Sequence, residues 1–150
     1  KTLTVTETWL EADEIDLQKL VDLGVPVAII HSKGRGKHHS GNTGQVGQII
    51  GTCILAVGCS VILSKNQESL TSFGLNNGSP GICRSILYKQ DQSPPALPLA
   101  VVVEFESYTG PPWLHNHPKL VPIPVNEAHC DYDCCCTRIG IPLMLCFTNC

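Results

Sequence analysis

From Ser40 to Ser64 the chain carries no charged residue, and the middle of this interval reads IIGTCILAVGCSVIL, residues 49–63. A run this apolar must leave water, as a membrane-spanning helix or as buried strands. A spanning helix needs about 20 residues of this character. The run has 15, interrupted by Gly51 and Gly58 and rich in the β-branched Ile54, Val57, Val61 and Ile62, which favour a pleated surface over a helix. The reading is two buried strands bent at Gly58, with no membrane partner.

The same grammar continues downstream. After TCILAV and CSVILSK come ICRSILYK, LPLAVVVEF and KLVPIPV, separated by GLNNGSPG, QDQSPPA and YTGPPWLHNHP. Short apolar runs with Pro/Gly punctuation point to a small antiparallel barrel or sandwich. Pro98, Pro122 and Pro124 mark strand starts or edges, because proline donates nothing to a ladder. Upstream, residues 11–23 place Ile15, Leu17, Leu20, Val21 and Leu23 near helical spacing, and Gly24 and Pro26 stop the pattern. VPVAII reads as a strand, and HSKGRGKHHSGNTG, which has no apolar period, as a flexible loop. The last segment, IGIPLMLCF, is left open between strand and helix, and no internal repeat is visible.

Composition limits function. The hydrophobic fraction of 43% and charged fraction of 15% fit a folded chain, and a net charge of −3 gives no global field for nucleic acid. Any DNA contact therefore needs a local basic groove. Nine cysteines suggest a disulfide scaffold, but the odd count, the Cys134-Cys135-Cys136 triplet and the lack of a signal peptide favour reduced thiols in an intracellular protein. Asn77-Gly78-Ser79 matches a glycosylation sequon that an intracellular chain would not use. A start at Lys1 and an end at Cys150, just after an apolar run, read as a piece cut from a longer protein.

Several chemical motifs fail on spacing. In GRGKHHSGNTG a phosphate-binding loop would need glycine where His31 stands and a hydroxyl where His38 stands. Gly41, Gly44 and Gly47 do not fit the dinucleotide pattern. His115, His117, His129, Cys130, Cys134, Cys135 and Cys136 form the densest set of metal-type ligands, with zinc-compatible spacing between Cys130 and Cys134. There is no second cysteine pair, and adjacent cysteines converge poorly on one ion, so no metal site is assigned. No cysteine has an identifiable general base, and Asp131 and Asp133 read as solvated turn residues, so no catalytic residue is assigned.

GLNNGSPGICRSI, residues 74–86, halts the apolar pattern with residues suited to positive φ. Taken with GVPVAIIHSKGRGK, LAVGCSVILSKN, the continuation LYKQDQSPPALPLAVVVEFESYTGP, KLVPIPV and CTRIGIPLMLCF, it resembles the C-terminal half of Pif-family ATP-dependent DNA helicases, in the metazoan and transposon-associated branch. The signature of Gly, apolar strand and Asn is met by Gly58, Val61, Leu63 and Asn66. The Gly-Leu-x-Asn-Gly turn is met by Gly74, Leu75, Asn77 and Gly78, followed by Gly81.

The resemblance implies an α/β fold, mostly β in this piece. Residues 1–50 would be a remnant of the second RecA-like motor domain, 51–135 an inserted small antiparallel β-barrel, and 136–150 the return strand of the motor. It implies a 5′-to-3′ helicase of DNA repair, recombination and telomere maintenance, nuclear, with ATP and Mg2+ bound by the full-length protein and not by this piece. Single-stranded DNA is the implied partner, met by Lys65, Asn66, Asn77 and Gly78. Asn76 stands where the family has an apolar residue, Cys146 to Asn149 replace an Ala/Trp-rich stretch, and 134–136 are unusually thiol-rich. The alternatives are a small zinc-stabilised interaction module built on residues 115–136 and a nonfunctional relic of a mobile-element helicase.

Overall fold

The structure is a computed structural model that describes residues 4–5, 9–35, 49–129 and 136–149. It is mostly β. After a short strand β1 (Thr4–Val5), helix α1 (Trp9–Asp22) turns its Leu20 inward and stops where Gly24 takes a φ of +65°. The strand read from VPVAII is β2 (Val27–His31), followed at once by β3 (Lys33–Arg35). The apolar run forms β4 (Thr52–Ala56) and β5 (Ser60–Leu63), joined by a tight turn in which Gly58 has a φ of +94°. This is the expected bend. A single-turn helix, α2 (Glu68–Thr71), precedes β6 (Pro80–Leu87) and β7 (Ala100–Glu104). The chain ends in β8 (Leu120–Pro124), β9 (Asn126–His129), β10 (Thr137–Gly140), β11 (Leu143–Leu145) and β12 (Thr148–Asn149).

Five antiparallel strands lie in the order β11-β5-β6-β7-β8, and three more in the order β3-β10-β9. Only Val125 separates β8 from β9, and only Ile141 and Pro142 separate β10 from β11. The two sheets are therefore one ring closed through the chain itself: β8 bends into β9, β9 pairs with β10, and β10 bends into β11, which pairs with β5. Pro122 and Pro124 lie in β8, whose far side has no ladder partner among the described residues, as a residue without an N–H requires. β2 pairs with β4, and β1 runs parallel to β12.

The ring encloses Val61, Leu63, Cys83, Val101, Val103, Phe105, Ile123 and Leu143, none of them more than 0% exposed. Each such aliphatic or aromatic side chain contributes about 1.5–3 kcal/mol by leaving water. Surface electrostatics is minor beside this. The Arg84–Glu104 ion pair across β6 and β7, with Nε 2.9 Å from Oε2, is half-exposed and so is worth about 0–1 kcal/mol. Arg84 is the extra residue of a bulge between Cys83 and Ser85, which swings it to the outside.

Two expectations change. The segment from His31 onward was expected to be loop, yet Lys33–Arg35 forms β3 against β10, with Lys33 opposite Ile139 and Arg35 opposite Thr137. A Lys-Gly-Arg triplet has no apolar signal of its own, and a partner about a hundred residues away supplies the order; residues 36–48 lie outside the described residues. The open segment IGIPLMLCF is strand, because its halves face different neighbours across the Ile141-Pro142 bend. Among the described residues no helix is long and apolar enough to cross a membrane.

Candidate nucleic-acid interface

Asn66, Asn77 and Gly78 meet in one place, at the end of β5. Gly74 and Gly78 adopt φ values of +87° and +91°, folding residues 74–79 back onto the strand. The Gly78 N–H donates to the Leu63 carbonyl at 2.6 Å and the Leu63 N–H donates to the Ser79 carbonyl at 3.0 Å, extending the β5–β6 ladder into the turn. The Asn77 N–H donates to Asn66 Oδ1 at 2.6 Å, and the Ser79 N–H donates to the Asn76 carbonyl at 2.9 Å. Leu75 is the apolar pin, wholly buried. Backbone geometry thus accounts for Gly74 and Gly78, and Ser79 Oγ accepts the Asn76 N–H at 2.8 Å.

This pairing narrows the chemistry. The amides of Asn77, Gly78 and Ser79 all have acceptors within the chain, so none is left to cradle a phosphate. What the turn presents outward is the exposed surface of Asn76, Asn77 and Gly78, with no Cβ at Gly78 to hold a ligand backbone away. Lys65 reaches toward β9. Its Nζ lies 3.4 Å from the carbonyl of Glu127 in β9, so its charge stands at the β9 strand of the β3-β10-β9 sheet.

The sequence reading missed the cations of β3. Lys33 and Arg35 are exposed, and the signal was present in SKGRGK, where a cation recurs at every second position, the period that puts side chains on one face of a strand.

The metal-type ligands that the structure describes do not converge. His115, His117 and His129 are exposed, Cys136 is buried, and Cys130, Cys134 and Cys135 lie outside the described residues. Among the described residues no three His, Cys, Asp or Glu side chains are grouped to hold an ion. The thiols of Cys53, Cys59 and Cys83 form part of the core. Burial, with a smaller contribution from Cys59, pushes the Cys53 thiol up to about 12, and its Sγ donates to the Leu143 carbonyl at 3.6 Å. A hydrogen bond with Cys59 and then burial push Cys83 up as well. Such thiols stay protonated and act as small apolar side chains.

Arg138 is the largest fully buried side chain, 2% exposed, and its Nη1 donates to the Ile49 carbonyl at 2.7 Å. Burial lowers its pKa, but a guanidinium keeps its proton. It ties β10 to the start of the apolar run.

No family model and no curated protein matches the sequence. Solved structures do. The crystal structure of Pif1 helicase from Candida albicans superposes with a TM-score of 0.69 at 17% identity, covering 98% of this chain and 34% of that one. The fold is that of a part of Pif1 helicases. Unliganded Pif1 from Bacteroides sp. gives a TM-score of 0.66 at 13% identity over 99% of this chain and 41% of its own. Bacteroides Pif1 in complex with ADP-AlF3 and ssDNA gives 0.62 at 13% identity over 97% and 30%. The chain thus spans between a third and two-fifths of the first two helicases, and nearly all of its own length is used in the match.

Proposed function

We propose that this chain is part of an ATP-dependent DNA helicase of the Pif family that unwinds duplex DNA 5′ to 3′, and that it contributes contacts to single-stranded DNA. The observation that carries the reading is the superposition of 97–99% of the chain on helicases of this type, one of them in complex with ssDNA. It agrees with the order in which the family-like segments run along the sequence.

On this reading residues 1–50 belong to the second RecA-like motor domain and the barrel starts at 51. The pairing of β10 and β11 into the ring favours a return to the motor after residue 145, later than the boundary at 136 drawn from sequence. ATP and Mg2+ are bound by the rest of the helicase, where hydrolysis drives motion along the strand. The protein acts in the nucleus, in DNA repair, recombination and telomere maintenance.

Within this chain, Lys65 supplies charge to phosphates, Asn66 holds the turn, and Asn77 and Gly78 offer a surface that a sugar-phosphate backbone can approach closely. Phosphate contacts position a strand without reading its sequence. The test is a salt titration of binding to labelled oligo(dT), followed by fluorescence anisotropy. Lys65→Ala is expected to lower the slope of log K against log salt by about 0.7. An unchanged slope removes Lys65 from the contact set, and no binding by the unsubstituted chain overturns the reading.

A further inference from the structure

In an antiparallel ladder, residues opposite one another share a face, and so do alternate residues along a strand. The pairs Lys33↔Ile139↔Glu127 and Arg35↔Thr137↔His129 therefore share one face of the β3-β10-β9 sheet. The alternate positions, Arg138 and Ala128, are 2% and 3% exposed and point into the protein. The first face is thus the outward one, and Lys33, Arg35, Glu127 and His129 are all exposed on it.

We propose that this face is a phosphate-binding surface for the backbone of a single nucleic-acid strand, continuous with Lys65. The inference rests on the reading above that the chain handles single-stranded DNA, and it adds a second group of contacts to that site. Three features select the ligand. Lys33 and Arg35 stand two residues apart on an extended strand, about 6.6 Å, close to the step between successive phosphates of an extended single strand. Neither Lys33 nor Arg35 makes a side-chain hydrogen bond or ion pair with the described residues, so neither charge is offset there. Thr137 and His129 add a hydroxyl and a ring nitrogen on the same rung, and no Phe, Tyr or Trp is among the six, so the surface is suited to holding backbone more than to stacking bases. Lys65 Nζ lies at the main-chain carbonyl of Glu127, in the strand that also carries His129. Glu127 is the acid on this face and works against an anion.

The experiment measures oligo(dT) binding by the full chain as a function of salt, for the unsubstituted protein, the double variant Lys33→Gln/Arg35→Gln, the charge-preserving Lys33→Arg/Arg35→Lys, and Glu127→Gln. Loss of two phosphate contacts is expected to lower the salt slope by about 1.4 and to weaken binding at least tenfold at low salt. The charge-preserving variant keeps the slope, and Glu127→Gln binds more tightly. If the unsubstituted chain binds and Lys65→Ala lowers the slope while Lys33→Gln/Arg35→Gln does not, this inference falls and the functional reading stands. If the unsubstituted chain does not bind, the functional reading itself falls. A slope change equally large with blunt duplex DNA overturns the assignment to a single strand.

Discussion

The side-chain oxygen of Asn66 accepts the main-chain N–H of Asn77 at 2.6 Å, locking the exit of β5 to the turn that leads into β6. Removing this acceptor leaves the amide to water, so the expected cost is that of one net hydrogen bond, about 1 kcal/mol. Asn66→Ala is expected to lower the unfolding free energy by this amount, read as a lower urea midpoint at an unchanged m-value, while Asn66→Asp, which keeps the acceptor, loses less. Equal losses for both variants would show that the amide nitrogen of Asn66, not its oxygen, matters.

The two positive-φ glycines of the same turn differ in what surrounds them. A Cβ at Gly74 would sit 2.6 Å from the Ser107 carbonyl oxygen, whereas one at Gly78 meets nothing within 4 Å. Gly78→Ala therefore carries only the backbone penalty, about 1–2 kcal/mol, and Gly74→Ala carries that plus a clash with main chain. Thermal unfolding should rank the three proteins as unsubstituted, Gly78→Ala, Gly74→Ala, in falling Tm. The reverse order of the two variants would contradict the packing of the turn on Ser107.

Arg138 tests the anchoring of the outer sheet. Arg138→Met keeps most of the volume and takes away the donor to the Ile49 carbonyl, an expected loss of about 1–3 kcal/mol. Arg138→Ala adds a cavity and costs a further 2 kcal/mol or so. Urea unfolding of the two variants measures the difference, and a Met variant as stable as the parent would mean the guanidinium contributes only its bulk.

The buried thiols give the fold an alkaline limit. The folded chain holds Cys53 at about 12 against an ordinary 9.0, so folding favours the neutral thiol. Below pH 9 the thiol is protonated in both states and the contribution is complete. As pH rises from 9 towards 12 the unfolded chain releases its proton first, and of the order of 4 kcal/mol is lost. Tm is expected to fall steeply over this window, less steeply in Cys53→Ala, and Cys53 should resist thiol reagents at pH 8 unless denaturant is added. Rapid labelling of native Cys53 would refute its burial.

Sequence alone determined six of the twelve described strands, β2 and β4 to β8. Gly58 between two β-branched runs, the prolines of KLVPIPV and the glycines of GLNNGSPG each fix the backbone locally, through positive φ or a missing N–H, and these features act without reference to distant residues. α1 was equally legible, since its spacing and the stop at Gly24 are local. Tertiary structure alone decided what depends on partners far apart in the chain. Lys-Gly-Arg becomes a strand only because β10 lies beside it, and IGIPLMLCF becomes two strands only because its halves meet β9 and β5. The candidate interface divides in the same way. Asn66, Asn77 and Gly78 were legible as a turn with a motif, but the capture of their amides by Leu63 and Asn66 was not. The outward face shared by Lys33, Arg35 and His129 exists only in the folded chain, because register across a sheet is set by long-range pairing and by which side of each strand the core has taken.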